Sequence, residues 1–276
     1  MTKILKKERL SDQVVKIVVD APLIAKKRKA GQFVVLIVDE QGERIPLTIA
    51  DADPETGTLT IIFQEVGKST MHLGTLDEGD EIAHVVGPLG RPTHIENFGA
   101  AVCIGGGVGI AALYPITRAL HEAGNRVTSI IGARSRDLLM LEDEMEAASD
   151  ELLICTDDGS CGLQGFVTSV LSEVIERGEK IDIVVAVGPV PMMRAVAEQT
   201  RSHGIRTVVS LNSIMVDATG MCGACRCEVD GETRFVCVEG PEFDGHGVDF
   251  DELAKRQKAY LEEEKRAVEH FSGSGR

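Results

Sequence analysis

The sequence has no tryptophan, only two tyrosines and an excess of acid over base, with Lys plus Arg at 29 against Asp plus Glu at 44. The resulting net charge of −15 argues against nucleic acid or anionic lipid as the main partner, since both demand a basic face. No apolar run approaches the roughly 18 residues that a membrane span needs. The opening Met1-Thr2-Lys3-Ile4-Leu5-Lys6-Lys7 is broken by charge and has no signal-peptide core. A cytoplasmic chain with reduced thiols is therefore expected. The cysteine count, seven, is odd and fits poorly with a disulfide framework. What is present is apolar material, 43% of 276 residues, enough for one large or two ordinary cores.

The chain changes style along its length. Residues 1–98 carry short β-branched runs, Gln13 to Asp20, Gln32 to Asp39 and Gly57 to Gln64, divided by turn material such as Asp53-Pro-Glu-Thr-Gly57. Such regular spacing predicts an antiparallel sandwich or barrel. Residues 99–212 alternate strand and helix. Strands are expected at Ala101–Ile104, Arg126–Ile131, Glu151–Cys155, Ile181–Val187 and Arg206–Leu211, and helices from the glycine turn to Ala123 and at Asp137–Ala148, Leu163–Glu176 and Met192–Ser202. That alternation predicts a parallel sheet with helices on both faces. Residues 213–248 are rich in Cys, Gly and Asp without clear periodicity. In residues 249–276, a charged helix is expected from Asp249 to Phe271, with a thin apolar stripe of Leu253, Tyr260, Leu261 and Val268, before a flexible Ser272-Gly-Ser-Gly-Arg276 end.

The cysteines inform by position. Cys103, Cys155 and Cys161 are scattered, whereas Cys222, Cys225, Cys227 and Cys237 fall within sixteen residues. Asp217-x4-Cys222-x2-Cys225…Cys237 matches the plant-type [2Fe–2S] spacing with a carboxylate in the first ligand slot. A tight loop must wrap such a cluster, and Gly220 and Gly223 permit one. A carboxylate is a harder ligand than thiolate but binds iron. Two other readings stand beside this one: a structural zinc site using Cys222, Cys225, Cys227 and Cys237, and an inert Cys-rich loop. Cys227 is the alternative fourth ligand. It reads as a buried thiol, because Cys225 and Cys227 would share one face if Arg226 lies on a strand.

Gly105-Gly-Gly-Val-Gly-Ile110 ends a strand and opens a helix, where free N–H groups and the helix dipole attract an anion. Its spacing is not that of G-x-G-x-x-G, and a tight packing turn explains it equally well. Three further strand ends, Gly132-Ala-Arg134-Ser135, Thr156-Asp157-Asp158-Gly159 and Gly188-Pro189-Val-Pro-Met192, are small and polar too. Loops of this type are commonly Gly-rich, but the repetition points to one shared nucleotide cleft at the carboxyl ends of the strands. In the first region, Arg44-Ile-Pro46-Leu47-Thr48 offers a forked phosphate donor and a hydroxyl able to reach a flavin nitrogen. Gly67-Lys68-Ser69-Thr70 offers donors at a helix start. Taken singly, each is equally a surface arginine or an N-cap.

Together these segments resemble the ferredoxin-reductase family, over about residues 3–250. Arg44 to Thr48 resembles its flavin motif, and Gly67 to Thr70 its flavin-pyrophosphate segment. Gly106, Gly107, Gly109 and Ile110, with Gly188, Pro189 and Met192, resemble its nucleotide motifs. The cysteine loop narrows the resemblance to the electron-transfer subunits of dihydroorotate dehydrogenase, of NADH-dependent ferredoxin:NADP oxidoreductase and of sulfide dehydrogenase. The resemblance implies a flavin-binding β-barrel, a parallel-sheet nucleotide domain and a small cluster region. It implies FAD, NAD(H) and one [2Fe–2S] cluster held by Asp217, Cys222, Cys225 and Cys237. Gly132, Arg134, Asp157, Asp158 and Gly159 would complete the nucleotide site. It further implies a larger flavoprotein partner resembling a glutamate synthase small subunit. Asp217, where dihydroorotate-type subunits carry Cys, shifts the expectation to the electron-bifurcating transhydrogenase branch. Cys161 stands where relatives often have an aromatic. Arg134 and Arg136 could meet a 2′-phosphate, while Glu142 and Asp143 argue the other way, and NAD(H) is taken on resemblance. A non-catalytic zinc-bearing binding subunit is the reading from another class.

Overall fold

A computed structural model of the chain describes residues Met1–Gly273. Seven antiparallel strands form a half-barrel: β1 (Thr2–Arg9), β2 (Val14–Asp20), β3 (Phe33–Ile37), β4 (Ile45–Asp53), β5 (Thr58–Gln64), β6 (Glu81–Ile82) and β7 (His84–Leu89), in the order β6-β1-β2-β5-β4-β3-β7. Helices α1 (Pro22–Ala25) and α2 (Lys68–Thr75) punctuate them. The alternation of β-branched and polar residues turns Val15, Ile17 and Val19 of β2 inward, against Val34, Leu36, Ile49, Leu59, Ile61 and Phe63. Burial of this apolar face is what holds the half-barrel together.

A second sheet follows. Its strands are β8 (Ala100–Gly106), β9 (Arg126–Ala133), β10 (Glu151–Thr156), β11 (Leu163–Gln164), β12 (Ile183–Val187) and β13 (Thr207–Ser210). Their order is β11-β10-β9-β8-β12-β13, and all pairs are parallel. Helices α3 (Gly109–Glu122), α4 (Glu142–Ala147), α5 (Val167–Glu176) and α6 (Val190–Arg201) connect them. Strand periodicity assigns the two faces: Val102, Ile104, Val184 and Ala186 belong to the core with α5 and α6, and Ala101, Cys103, Ile183 and Val185 to the core with α3. The α3 side also takes in Val14, Ala50 and Ile62 of the half-barrel, so one apolar seam joins the two sheets.

The Cys-rich piece forms a hairpin, β14 (Arg226–Val229) and β15 (Glu232–Phe235), followed by a single turn α7 (Val236–Glu239). Then β16 (Glu242–Asp244) returns to the sheet, antiparallel to β13. Among the described residues no helix is long and apolar enough to cross a membrane.

Several expected helices differ. Asp137–Ala148 is not one helix but a 3-10 turn at Arg136–Leu138 and then α4. The intervening Leu139 and Met140 are drawn into the core, and Leu141 adopts φ 56° as the chain re-enters helix. Leu163–Glu176 begins as the edge strand β11, because Gly165 at φ +139° holds the chain out of helix until Val167. The C-terminal stretch splits into α8 (Phe250–Arg256), capped by the Asp249 carboxylate accepting from the Asp251 and Glu252 amides, and α9 (Leu261–Gly273). Of the expected stripe, Leu253 is buried while Tyr260 and Leu261 are about half exposed. Ser272 and Gly273 belong to α9, and the rest of the expected flexible end lies outside the described residues.

Candidate functional site

The two sheets face each other across a cleft of about 1110 Å³. Strand β4 contributes Pro46, Leu47 and Thr48, and α2 contributes Thr70. The parallel sheet contributes its strand ends: Gly106, Gly107 and Gly109 after β8, Gly132 and Arg134 at β9, Asp157 after β10, and Gly188, Pro189 and Met192 after β12. Strand ends expected to share a cleft therefore do share one.

Glycine is required here for two different reasons. At Gly109 a Cβ would lie 2.4 Å from the Val187 carbonyl oxygen, so its absence lets α3 start against the end of β12. At Gly107, φ is +55° and a Cβ would meet nothing within 4 Å, so this backbone stands open to the cleft. The packing-turn reading thus holds at Gly109, while Gly107 is a position at which a ligand can approach bare backbone.

Seven of the residues expected to bind the flavin or the nucleotide do not line the cleft. Ile110 is fully buried, and only its backbone takes part in the turn, donating to the Gly107 carbonyl over 3.1 Å. Asp158 and Gly159 form a tight turn, with the Asp158 carboxylate accepting from the Ser160 amide (2.9 Å) and hydroxyl (2.6 Å), which holds its pKa below the usual carboxylate range. Gly67 is the N-cap of α2, and its amide donates to Thr70 Oγ1 over 3.1 Å. Lys68 opens α2, and Ser69 Oγ donates to Glu43 Oε2 over 3.2 Å, so the Glu43-Arg44 turn lies against this helix start. Arg44 Nη1 donates to the backbone carbonyl of Asp217 over 3.3 Å. The barrel turn before β4 is thereby tied directly to the cysteine loop.

In that loop Asp217 Oδ1 accepts from the Thr219 amide and Oδ2 from the Cys222 amide, both at 3.0 Å. These bonds, the Thr219 one foremost, hold its carboxyl below its ordinary pKa. Ala218, Gly220 and Gly223 all take positive φ, giving the loop its tight coil. Cys225 and Cys237 are buried with their sulfurs 3.2 Å apart, while Cys222 is exposed on the loop. Cys227 lies in the same core cluster as Cys225 and Cys237, and burial, reinforced by Glu252 and Cys225, pushes its thiol up to about 12. Among the described residues no three Cys, His, Asp or Glu side chains are gathered into a ready-made coordination set. The donors fit an iron–sulfur group in kind: two adjacent buried thiols, a third thiol on a coiled loop, and a carboxylate bonded to that third residue's amide.

Sequence reasoning missed several lining residues: Gln64 at the end of β5 and Val66 beyond it, Phe166 and Thr168 at the start of α5, and Ser210, Asn212, Ser213 and Met215. The last group ends and follows β13, and the strand-end rule applied to that fifth strand would have found it. Residues 210–215 run straight from the cleft into the loop at Asp217.

The model of the iron–sulfur cluster binding domain of dihydroorotate dehydrogenase B matches residues 212–249, and that of the oxidoreductase NAD-binding domain matches residues 103–198. A dihydroorotate dehydrogenase B (NAD(+)) electron transfer subunit homolog of Thermotoga maritima is 49% identical over 271 residues, 98% of this chain and 95% of that one. The electron transfer subunit of Geobacillus thermodenitrificans is 34% identical over 85% of this chain and 92% of its own. The chain belongs to this family. It is an electron-transfer subunit of the flavin and iron–sulfur type, with an NAD-binding oxidoreductase domain and the ferredoxin-reductase-like fold. A solved structure of NADH-dependent reduced ferredoxin-NADP oxidoreductase, described for flavin-based electron bifurcation, superimposes with a TM-score of 0.94 at 47% identity over 98% of both chains. A Neisseria gonorrhoeae ferredoxin NADP+ reductase, at 17% identity and a TM-score of 0.58 over 74% of this chain and 90% of that one, shares the fold alone.

Proposed function

We propose that this subunit passes electrons between NAD(H), FAD and a [2Fe–2S] cluster within an electron-bifurcating NADH-dependent ferredoxin:NADP oxidoreductase. The observation that carries the reading is the continuity of the cleft: Thr48 on one wall, the open Gly107 turn on the other, and residues 210–215 leading from its floor to Asp217. When bound, FAD takes up a hydride as an electron pair and exchanges single electrons with the cluster. Thr48 offers its hydroxyl to the flavin ring. Thr70 at the cleft edge, with Arg44 and Gly67 to Ser69 beside it turning from their present protein partners, would hold the flavin phosphates. Gly106, Gly107 and Gly109 receive the nucleotide pyrophosphate at the N-terminus of α3. Gly132, Arg134 and Asp157 bound the distal end of the nucleotide, with the Asp158-Gly159 turn shaping the loop behind Asp157, and Gly188, Pro189 and Met192 bound its nicotinamide end. Asp217, Cys222, Cys225 and Cys237 hold the cluster. The division at residues 98, 212 and 248 into flavin, nucleotide, cluster and C-terminal parts belongs to the same reading.

NAD(H) rather than NADP(H) is taken on the family likeness, and it is supported by Arg136, one of the two candidate cations for a 2′-phosphate, being already engaged by Glu142 and by Cys161 Sγ at 3.3 Å. The partner is a larger flavoprotein subunit resembling a glutamate synthase small subunit. The name of the Thermotoga maritima relative favours a second reading, the electron-transfer subunit of a dihydroorotate dehydrogenase. Asp217 in place of a first cysteine, together with the likeness to the bifurcating enzyme, supports the first. Co-purification decides: a glutamate-synthase-like partner with NADPH and ferredoxin activity is expected, and a dihydroorotate-oxidising partner would reverse the assignment. Zinc in place of iron and labile sulfide would remove both.

A further inference from the structure

The seam between the half-barrel and α3 holds an ionic hub that none of the roles above uses. Asp51 sits at a register shift in β4, where the pairing with β5 slips between Ile49 and Asp51. Such a bulge re-aims a side chain. Asp51 Oδ1 accepts from Arg118 Nη2 of α3 at 2.7 Å, from Arg28 Nη2 at 3.1 Å and from the Ala52 amide at 2.8 Å. Arg118 also donates to Tyr114 Oη over 3.2 Å and lies 5.2 Å above that ring. The Arg28 side chain is only 10% exposed. One carboxylate thus joins two guanidinium groups brought together between the sheets, and the only other carboxylate paired with Arg118 among the described residues is the exposed Glu122, 3.9 Å from its Nε.

The position of the hub matters more than its strength. Asp51 lies three residues along β4 from Thr48, about 10 Å at the usual strand rise. Arg118 lies nine residues along α3 from Gly109, about 14 Å at the helical rise. Both elements reach the cleft at their near ends, and α3 packs directly on β4. We infer that Asp51 is a positioning residue for hydride transfer: through Arg118 and Arg28 it fixes the spacing of the Thr48 strand against the nucleotide-binding start of α3. This rests on the reading of the cleft as the flavin and NAD(H) site. Loss of the carboxylate leaves two like charges facing each other across the seam, and their repulsion opens it.

The test is Asp51→Asn in the FAD- and cluster-loaded protein, followed by anaerobic stopped-flow reduction with NADH. The limiting rate of flavin reduction is expected to fall at least about tenfold, since a displacement near 1 Å costs up to about a hundredfold. FAD and iron content, and reduction by dithionite, should be unchanged. The flavin–nicotinamide charge-transfer absorbance should weaken, and Asp51→Glu should restore part of it. In the cofactor-free protein, amide exchange should rise in β4 and α3. If Asp51→Asn does not fold, Arg118→Gln keeps the Asp51–Arg28 pair, removes the tie to α3, and should give the same loss. A wild-type rate in a folded variant overturns the inference alone. Wild-type protein whose flavin NADH does not reduce overturns the reading of the cleft as well.

Discussion

Glu242→Gln should flatten the pH dependence of stability on the alkaline side. Glu242 opens β16 beside Ser210, and Thr93 Oγ1 donates to its Oε1 over 2.5 Å. A Cβ on Gly31 would lie 2.5 Å from that same oxygen, so the carboxyl end is enclosed by half-barrel, linker and sheet edge. Desolvation outweighs the Thr93 bond and raises its pKa from 4.5 to about 7. A carboxyl raised in this way is neutral at little cost in the folded protein and ionises at a penalty. Stability is therefore highest below the unfolded pKa and declines as pH rises towards the folded one. At 1.36 kcal/mol per pH unit, the full penalty is about 3 kcal/mol, and the surface that the residue retains lowers it to about 2 kcal/mol. For a chain of this size that corresponds to about 4 °C in Tm. The decline has already begun at about pH 5.5, so thermal unfolding there and at about pH 8.5 should show the variant gaining on the wild type, between the two, roughly three fifths of that amount, about 1 kcal/mol or about 2 °C. These conditions stay above the range in which Asp158, Asp217 and Glu239, all held below their ordinary pKa, titrate. Parallel pH profiles for the two proteins would refute the argument.

Three other outcomes are expected. Asp217→Ala should lower iron retention and change the EPR signal of the reduced cluster, while Cys227→Ser should leave both intact; the reverse pattern would make Cys227 the fourth ligand. Gly109→Ala puts a methyl 2.4 Å from a backbone oxygen and must displace the α3 start by about 1 Å, so the NADH concentration for half-maximal flavin reduction should rise at least about tenfold with FAD content preserved. Glu142→Gln frees Arg136 and should raise the rate with NADPH relative to NADH, whereas an unchanged ratio would take Arg136 out of nucleotide selection.

Period and punctuation carried most of the fold. Val15, Ile17 and Val19 announce a half-buried strand, and Val102 alternating with Cys103 announces a strand buried on both faces. The misjudged elements are those where tertiary burial overrode local pattern. Leu139 and Met140 extend a helical apolar run but are pulled into the core, and Leu163 looks helical yet adds an edge strand beyond β10. The antiparallel β16 was invisible because its pairing with β13 is fixed by long-range packing rather than by its own three residues. The glycine turns were legible as cleft positions because strand ends in a parallel sheet open to one side, and Thr48 through its resemblance to a flavin motif. Arg44 was legible as a donor, but its bond to the Asp217 carbonyl was not, since backbone acceptors leave no mark in sequence. The Asp51 hub was hidden for a related reason: its members are 23 and 67 residues apart, and each reads alone as a surface charge.

Electrons passing from NADH through this cleft to the cysteine loop would reduce flavin and cluster together. The most direct test is an anaerobic NADH titration of the purified subunit, with flavin absorbance and EPR recorded on the same samples. Flavin bleaching should be accompanied by the paramagnetic signal of a reduced [2Fe–2S] cluster, and Asp217→Ala should diminish the signal while the bleaching persists. Flavin that bleaches fully in wild-type protein carrying iron and sulfide, with no cluster signal at any point of the titration, would contradict that transfer.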